Sequence, residues 1–120
     1  MVSEGKGRLH VRFAPGVKTK DANRLFAQIR QHAISNLTTE LLIDASSIQE
    51  KLSVLKRLQM ITAFVTYLRG YRVAGVLSEF TVDPKKLGET MALNRGANVK
   101  VFTRLPDAIA WLGWDKPAAG

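Results

Sequence analysis

Two imidazoles, His10 and His32, are the histidines of this chain and the side chains best suited to proton transfer near neutral pH. Catalysis or metal binding would need a partner at ligand spacing, and neither a His-x-x-x-His pair nor a His/carboxylate pair of that kind occurs. His10 falls on the polar side of an alternating stretch. His32 falls near a helix end, where a cationic ring suits the dipole. Both read as surface residues, and no metal is expected. There is no cysteine, which excludes thiolate nucleophiles, disulfides and thiolate zinc sites. No Gly-x-Ser-x-Gly turn is present to expose a serine nucleophile. Phosphate cradles need glycines that lead into a helix. Neither Gly-x-Gly-x-x-Gly nor a Walker-type motif exists, and Gly5-Lys6-Gly7 leads into a strand.

Three polar clusters remain. Asp44, Ser46 and Ser47, with Glu50 beyond them, follow one apolar run; Ser78 and Glu79 follow another; Thr103 and Arg104 follow a third. If those runs are parallel strands, all three clusters share the sheet end where α/β proteins place ligands. Such a rim lacks a base of near-neutral pKa, so it reads as a binding surface, with no catalytic residue and no cofactor. The competing reading is that serine and aspartate here merely cap helices.

Charge is the strongest compositional signal. Eighteen Lys and Arg face ten Asp and Glu, a net +8, and a surplus of that size favours anionic partners. Basic residues are spread along the chain: Arg8 and Arg12, Lys18, Lys20 and Arg24, Lys85 and Lys86. Nucleic-acid modules usually add exposed aromatics for stacking. Phe13, Phe26, Phe64 and Phe102 instead fall at core positions, so nucleic acid is a disfavoured partner. Trp111 and Trp114 lie three apart near the C-terminus. Either Trp111 seals one end of the core while Trp114 covers an edge, or the pair anchors a dimer or partner contact.

The elements that must position these residues follow from hydrophobic period. Residues 7–13 alternate, with Leu9, Val11 and Phe13 on one side and Arg8, His10 and Arg12 on the other, the mark of a strand buried on one face; Ala14-Pro15-Gly16 ends it. From Thr19, Ala22, Leu25, Phe26, Ile29 and Ala33 recur at helical spacing, with Thr19 or Asp21 as the cap. Residues 40–45 form a short apolar run suited to an interior parallel strand. A helix is predicted from about Gln49 to Leu68, its stripe running Leu52, Leu55, Leu58, Ile61, Phe64, Val65 and Leu68, with Gly70 placed to end it. Residues 71–77 are the third strand. Asp83-Pro84 opens a helix that carries Leu87, Met91 and Leu93 and stops at Arg95-Gly96. Residues 99–103 are the fourth strand, and 106–112 a closing helix with Ala108, Ile109 and Leu112 inward. The ends, 1–6 and 115–120, are expected to be flexible.

Strands alternating with helices imply crossover connections and one α/β domain over residues 1–120. No apolar leader and no segment long enough to cross a membrane is visible, so a soluble, cytoplasmic protein is expected.

The stretches Arg72–Leu77, Val99–Thr103 and Asp107–Leu112 resemble the SpoIIAA-like family, the STAS-type (anti-sigma-factor antagonist) domains also grouped as STAS/SEC14-like. Members of a small bacterial branch close with a valine–phenylalanine strand and an alanine–tryptophan–leucine helix, here Val101, Phe102, Ala110, Trp111 and Leu112. Residues 16–21 look like that family's turn into its first helix, and Leu41–Asp44 like its strand ending in aspartate. The resemblance implies a four-turn β/α superhelix on a mostly parallel four-stranded sheet. It implies a non-enzymatic regulatory or scaffolding module that binds another protein, with a homodimer as one form. The SEC14-like grouping implies a small apolar or lipid-like ligand as the alternative, and the basic surplus leaves anion or nucleic-acid binding as a third. One departure stands out. The regulatory branch phosphorylates a serine at the start of its second helix, in an Asp-Ser-Ser/Thr-Gly context. Residues 46–53 here hold no such motif, and Glu50 or Lys51 stands in its place. The phosphorylation switch does not carry over.

Overall fold

In the computed structural model of this protein, residues 2–3, 6–79, 81 and 87–116 are described. The chain runs β1 (Val2–Ser3), β2 (Arg8–Arg12), a 3-10 turn (Thr19–Asp21), α1 (Ala22–Ser35), β3 (Glu40–Ala45), α2 (Val54–Leu68), β4 (Arg72–Leu77), α3 (Leu87–Asn94), β5 (Asn98–Phe102) and α4 (Leu105–Leu112). The strands form one sheet in the order β1-β2-β3-β4-β5. From β2 to β5 every pairing is parallel, which follows from a helix returning the chain between each pair. The β1 pairing, Val2 with His10 and Ser3 with Leu9, is antiparallel. Two residues are too short to show a period, so the sequence carries no signal for β1. The pairing also ties down part of an N-terminal stretch expected to be flexible.

Alternation along the strands divides the core into two layers. Leu9, Val11, Leu41, Ile43, Val73 and Val99 face one way and pack under Phe26, Ile29 and Ala33 of α1, Ile61, Ala63 and Leu68 of α2, and Ala92 of α3. Phe26 and Phe64 meet edge to face at 5.7 Å and 84°, a favoured aromatic geometry. Leu42, Ala74 and Val76 face the other way, under Ala108 and Leu112 of α4. The β2 pattern, buried only at Leu9 and Val11, and the β3 run, buried from Leu41 to Ala45, both match expectation.

Several boundaries move for identifiable reasons. The second helix begins at Val54, not Gln49, because Ser53 caps it by accepting a hydrogen bond from the Lys56 amide. Residues 48–53 are therefore loop, and Leu55, on the first turn, is 63% exposed instead of lying on the core stripe. The last residue of α2 is followed by Arg69 in right-handed conformation; Gly70 is not a left-handed cap. Gly96 (φ 87°) and Gly113 (φ 75°) do adopt that conformation after α3 and α4. Among the described side chains of α3, Ala92 is buried, while Leu93 is 47% exposed. The Asp83-Pro84 cap, Lys85, Lys86 and the far tail lie outside the described residues. No described helix is long and apolar enough to cross a membrane.

Candidate functional site

Parallel register puts the ends of the strands level. Arg12 lies opposite Asp44, Asp44 opposite Val76, and Val76 opposite Phe102. The loops that carry Asp44, Ser46, Ser47, Glu50, Ser78, Glu79, Thr103 and Arg104 accordingly leave the sheet at one end. Their side chains divide into two groups. Glu79, Thr103 and Arg104 are exposed. The rest bond to the loops themselves. Asp44 Oδ1 accepts from the Ser46 amide at 3.0 Å and the Ser46 hydroxyl at 2.6 Å, and Asp44 Oδ2 lies 3.7 Å from the Arg12 guanidinium. Ser47 donates to the Phe13 carbonyl. Ser78 donates to the Ile48 carbonyl at 3.3 Å and lies 3.1 Å from the Thr81 hydroxyl.

Thr81 has no counterpart among the sequence-derived candidates, yet it is only 3% exposed. Its hydroxyl reaches the carbonyls of Ile48 (3.0 Å) and Glu50 (3.2 Å), fastening the β4–α3 loop to the β3–α2 loop. Glu50 fastens the latter to the β2–α1 loop. Its carboxylate accepts from the Thr19 amide (3.2 Å), the Thr19 hydroxyl (3.0 Å) and Lys56 Nζ (2.9 Å). The Lys56 bond, with the Thr19 bonds, outweighs burial and holds the Glu50 carboxyl below the ordinary carboxylate range. Glu50 is thus ionised and occupied at neutral pH, the opposite of a general acid. Replacement by glutamine should cost about 1 kcal/mol at pH 7. A depressed carboxyl stabilises the fold above its unfolded-state value and loses that contribution as pH falls through the folded-state value. Chemical denaturation at pH 7 and pH 3 checks this: the E50Q difference should shrink at pH 3. A constant difference would rule out the ionic part of the latch.

Beneath these loops, on the α1–α3 side of the sheet, lies a cavity of about 150 Å³. Ile43 and Ala45 of β3, Val73, Gly75 and Leu77 of β4, and Val99 and Val101 of β5 form its floor. Phe26, Ile61, Phe64 and Ala92 form its roof, and Val17, Lys18, Thr19, Ile48, Leu52, Arg57 and Thr81 lie around its loop end. Its cause is local. Gly75 stands between Ile43 and Val101 in the sheet, and a Cβ built on it would meet nothing within 4 Å. Interiors normally leave few voids larger than water. A glycine inside a strand, between Ala74 and Val76, was the available sequence signal.

The tryptophans lie at the opposite end of the sheet and are engaged within the chain. Arg72 sits 4.3 Å over the Trp111 ring and donates to the Trp111 and Leu112 carbonyls at 2.9 and 3.3 Å and to Glu40 at 2.9 Å. Trp114 Nε1 donates to the same Glu40 at 3.1 Å, and Arg8 lies 5.6 Å from its ring. Both rings are half-buried. Among the described residues no group of His, Asp and Glu is set to hold a metal ion. No protein-family model matches the chain, and no curated protein is similar enough to count as a relative.

Proposed function

We propose that this chain is a non-enzymatic binding module whose site is the apolar cavity over Gly75, with a small apolar molecule or chain as its cargo. One observation carries the reading: an unfilled space of about 150 Å³ with a mostly apolar lining, at the sheet end where α/β folds take ligands. Dry cavities of that size and character bind benzene-sized molecules. The rim side chains support a non-catalytic role, since the hydroxyls of Ser46, Ser47, Ser78 and Thr81 and the carboxylate of Glu50 are spent on fastening loops. The sequence likeness of residues 72–77, 99–103 and 107–112 to the SpoIIAA-like, STAS/SEC14-like domains adds support. So does a sheet whose strand order follows chain order.

Benzene is the direct probe. At ten times its dissociation constant it should stabilise the protein by about 1.4 kcal/mol, a Tm rise of about 5 °C. The methyl resonances of Ile43, Leu52 and Ile61 should shift, while those of Leu42 and Leu112, on the other layer, stay fixed. Absence of any shift, or equal shifts on both layers, ends the proposal.

A regulatory or scaffolding contact with a protein is the second reading. Val54 and Leu55, 84% and 63% exposed beside the cavity's loop end, favour it. The homodimeric form is tested by sedimentation equilibrium of the wild type and of a V54S/L55S variant. A wild type that stays monomeric at high micromolar concentration excludes it.

A further inference from the structure

We infer that the cavity's ligand is an amphiphile with an anionic head, its apolar part lying over Gly75 and its carboxylate or phosphate held at the loop end by Arg57 and Lys18. The inference rests on the cavity being the binding site, and it adds the chemistry of the ligand's polar end.

Five polar side chains line the cavity: Lys18, Thr19, Arg57, Thr81 and Glu89. Thr19 and Thr81 are bound to the loops as described. Glu89 Oε2 accepts from the Val101 amide at 2.9 Å, on the exposed edge of β5, so this carboxylate is committed to the sheet. That leaves two cations. The ion pairs among the described residues are Arg12–Asp44, Arg24–Asp21, Lys56–Glu50 and Arg72–Glu40, and neither Lys18 nor Arg57 takes part in one. Arg57 is half-buried, and one of its nitrogens donates to the Thr81 carbonyl at 3.4 Å, a long bond. A guanidinium has five N–H donors in a planar fork that matches carboxylate and phosphate. One long bond leaves most of them for a partner at the cavity.

The surrounding charge points the same way. Residues 17–24 and 48–57, which supply Lys18 and Arg57, hold six Lys and Arg against two carboxylates, Asp21 and Glu50, with Glu89 the one further carboxylate lining the cavity. Asp21 and Glu50 already bond basic neighbours, Arg24 and Lys56. An uncharged ligand would leave this field unanswered, and a cationic one would be repelled. An anionic head satisfies it, while the cavity's volume limits the apolar part to about a single ring or a chain of about six carbons.

The test uses the full chain and four probes of equal tail length: hexanoate, hexyl phosphate, hexanol and hexylammonium, followed by methyl NMR at pH 7.5 and fixed ionic strength. One charge-assisted contact at a partly solvated site predicts that one or both anions bind about tenfold tighter than hexanol, and that hexylammonium binds weaker than hexanol. Arg57→Met, which keeps the apolar stem, should cut the anion advantage to about threefold or less and leave hexanol affinity within about twofold. Should R57M not fold, Lys18→Met, at an exposed position, should reduce the same ratio. Equal affinities for hexanol and both anions overturn the anionic head while leaving the cavity reading standing. No binding by any of the four overturns both.

Discussion

Valine in place of Gly75 should raise the melting temperature and sharply weaken benzene binding. Most glycine replacements fail through strain or collision, and neither applies here. Gly75 is not among the glycines of positive φ, and an added Cβ has nothing within 4 Å. Its neighbours in the sheet, Ile43 and Val101, offer the new side chain apolar contact on both sides. Each buried methyl group is worth about 0.8 kcal/mol, and glycine is a poor strand residue for entropic reasons. Against the loss of space for rearrangement, a net gain of about 1–2 kcal/mol is the usual return for filling a cavity. In a domain of this size that corresponds to roughly 4–10 °C. The same three carbons occupy the floor on which the ligand would rest. Forcing ligand and valine together costs about 1–3 kcal/mol, which is roughly a fivefold to 150-fold loss of affinity. Calorimetric melting and benzene titration of G75V, with G75A as the intermediate case, read both effects. A lower Tm would mean that the space is filled in solution by rearranged side chains. An undiminished benzene affinity would place the binding elsewhere.

Arg72→Ala should loosen α4 from the sheet at a cost of about 2 kcal/mol. Arg72 joins three groups: the Glu40 carboxylate, the last carbonyls of α4 and the Trp111 ring. Those carbonyls belong to the final turn, where no amide of the helix can reach them, and the guanidinium supplies the missing donors. Charge-assisted hydrogen bonds are worth about 1.5–3 kcal/mol and the ring contact about 0.5–1 kcal/mol. The Arg72 side chain is 36% exposed, so solvent screening reduces the ion-pair share and the sum stays near the lower bond value. Arg72→Lys separates charge from geometry. An ammonium cannot fork to carboxylate and carbonyls together while stacking on an indole, so lysine should recover less than half of the loss. Urea denaturation followed by tryptophan emission checks this, since Trp111 and Trp114 report on the affected joint. If R72K were as stable as the wild type, the fork would be irrelevant and only charge would matter.

The strand–helix order and the parallel sheet were legible because they depend on near neighbours. Leu9 and Val11 declare a one-sided strand through a period of two, Leu41–Ile43 an interior strand through continuous apolarity, and Phe26, Ile29 and Ala33 a helix face through a period near 3.6. The polar clusters after the strands were likewise readable, since parallel strands must end together. Misplaced boundaries came from capping competition, as at Ser53, where one hydroxyl moved the start of α2 and turned Leu55 outward.

What the local pattern could not contain is which side chains from distant strands reach the same level. Glu50 meets Thr19 across 31 positions and Arg72 meets the Trp111 carbonyl across 39, and no periodicity encodes such pairs. The cavity is of the same kind. A glycine in a strand is visible in the sequence, but the space above it exists only because Ile43, Val101 and the α1–α3 layer surround that position without filling it. Covalent neighbours set the elements, whereas emptiness and long-range ion pairs are properties of packed surfaces, which the tertiary structure alone brings together.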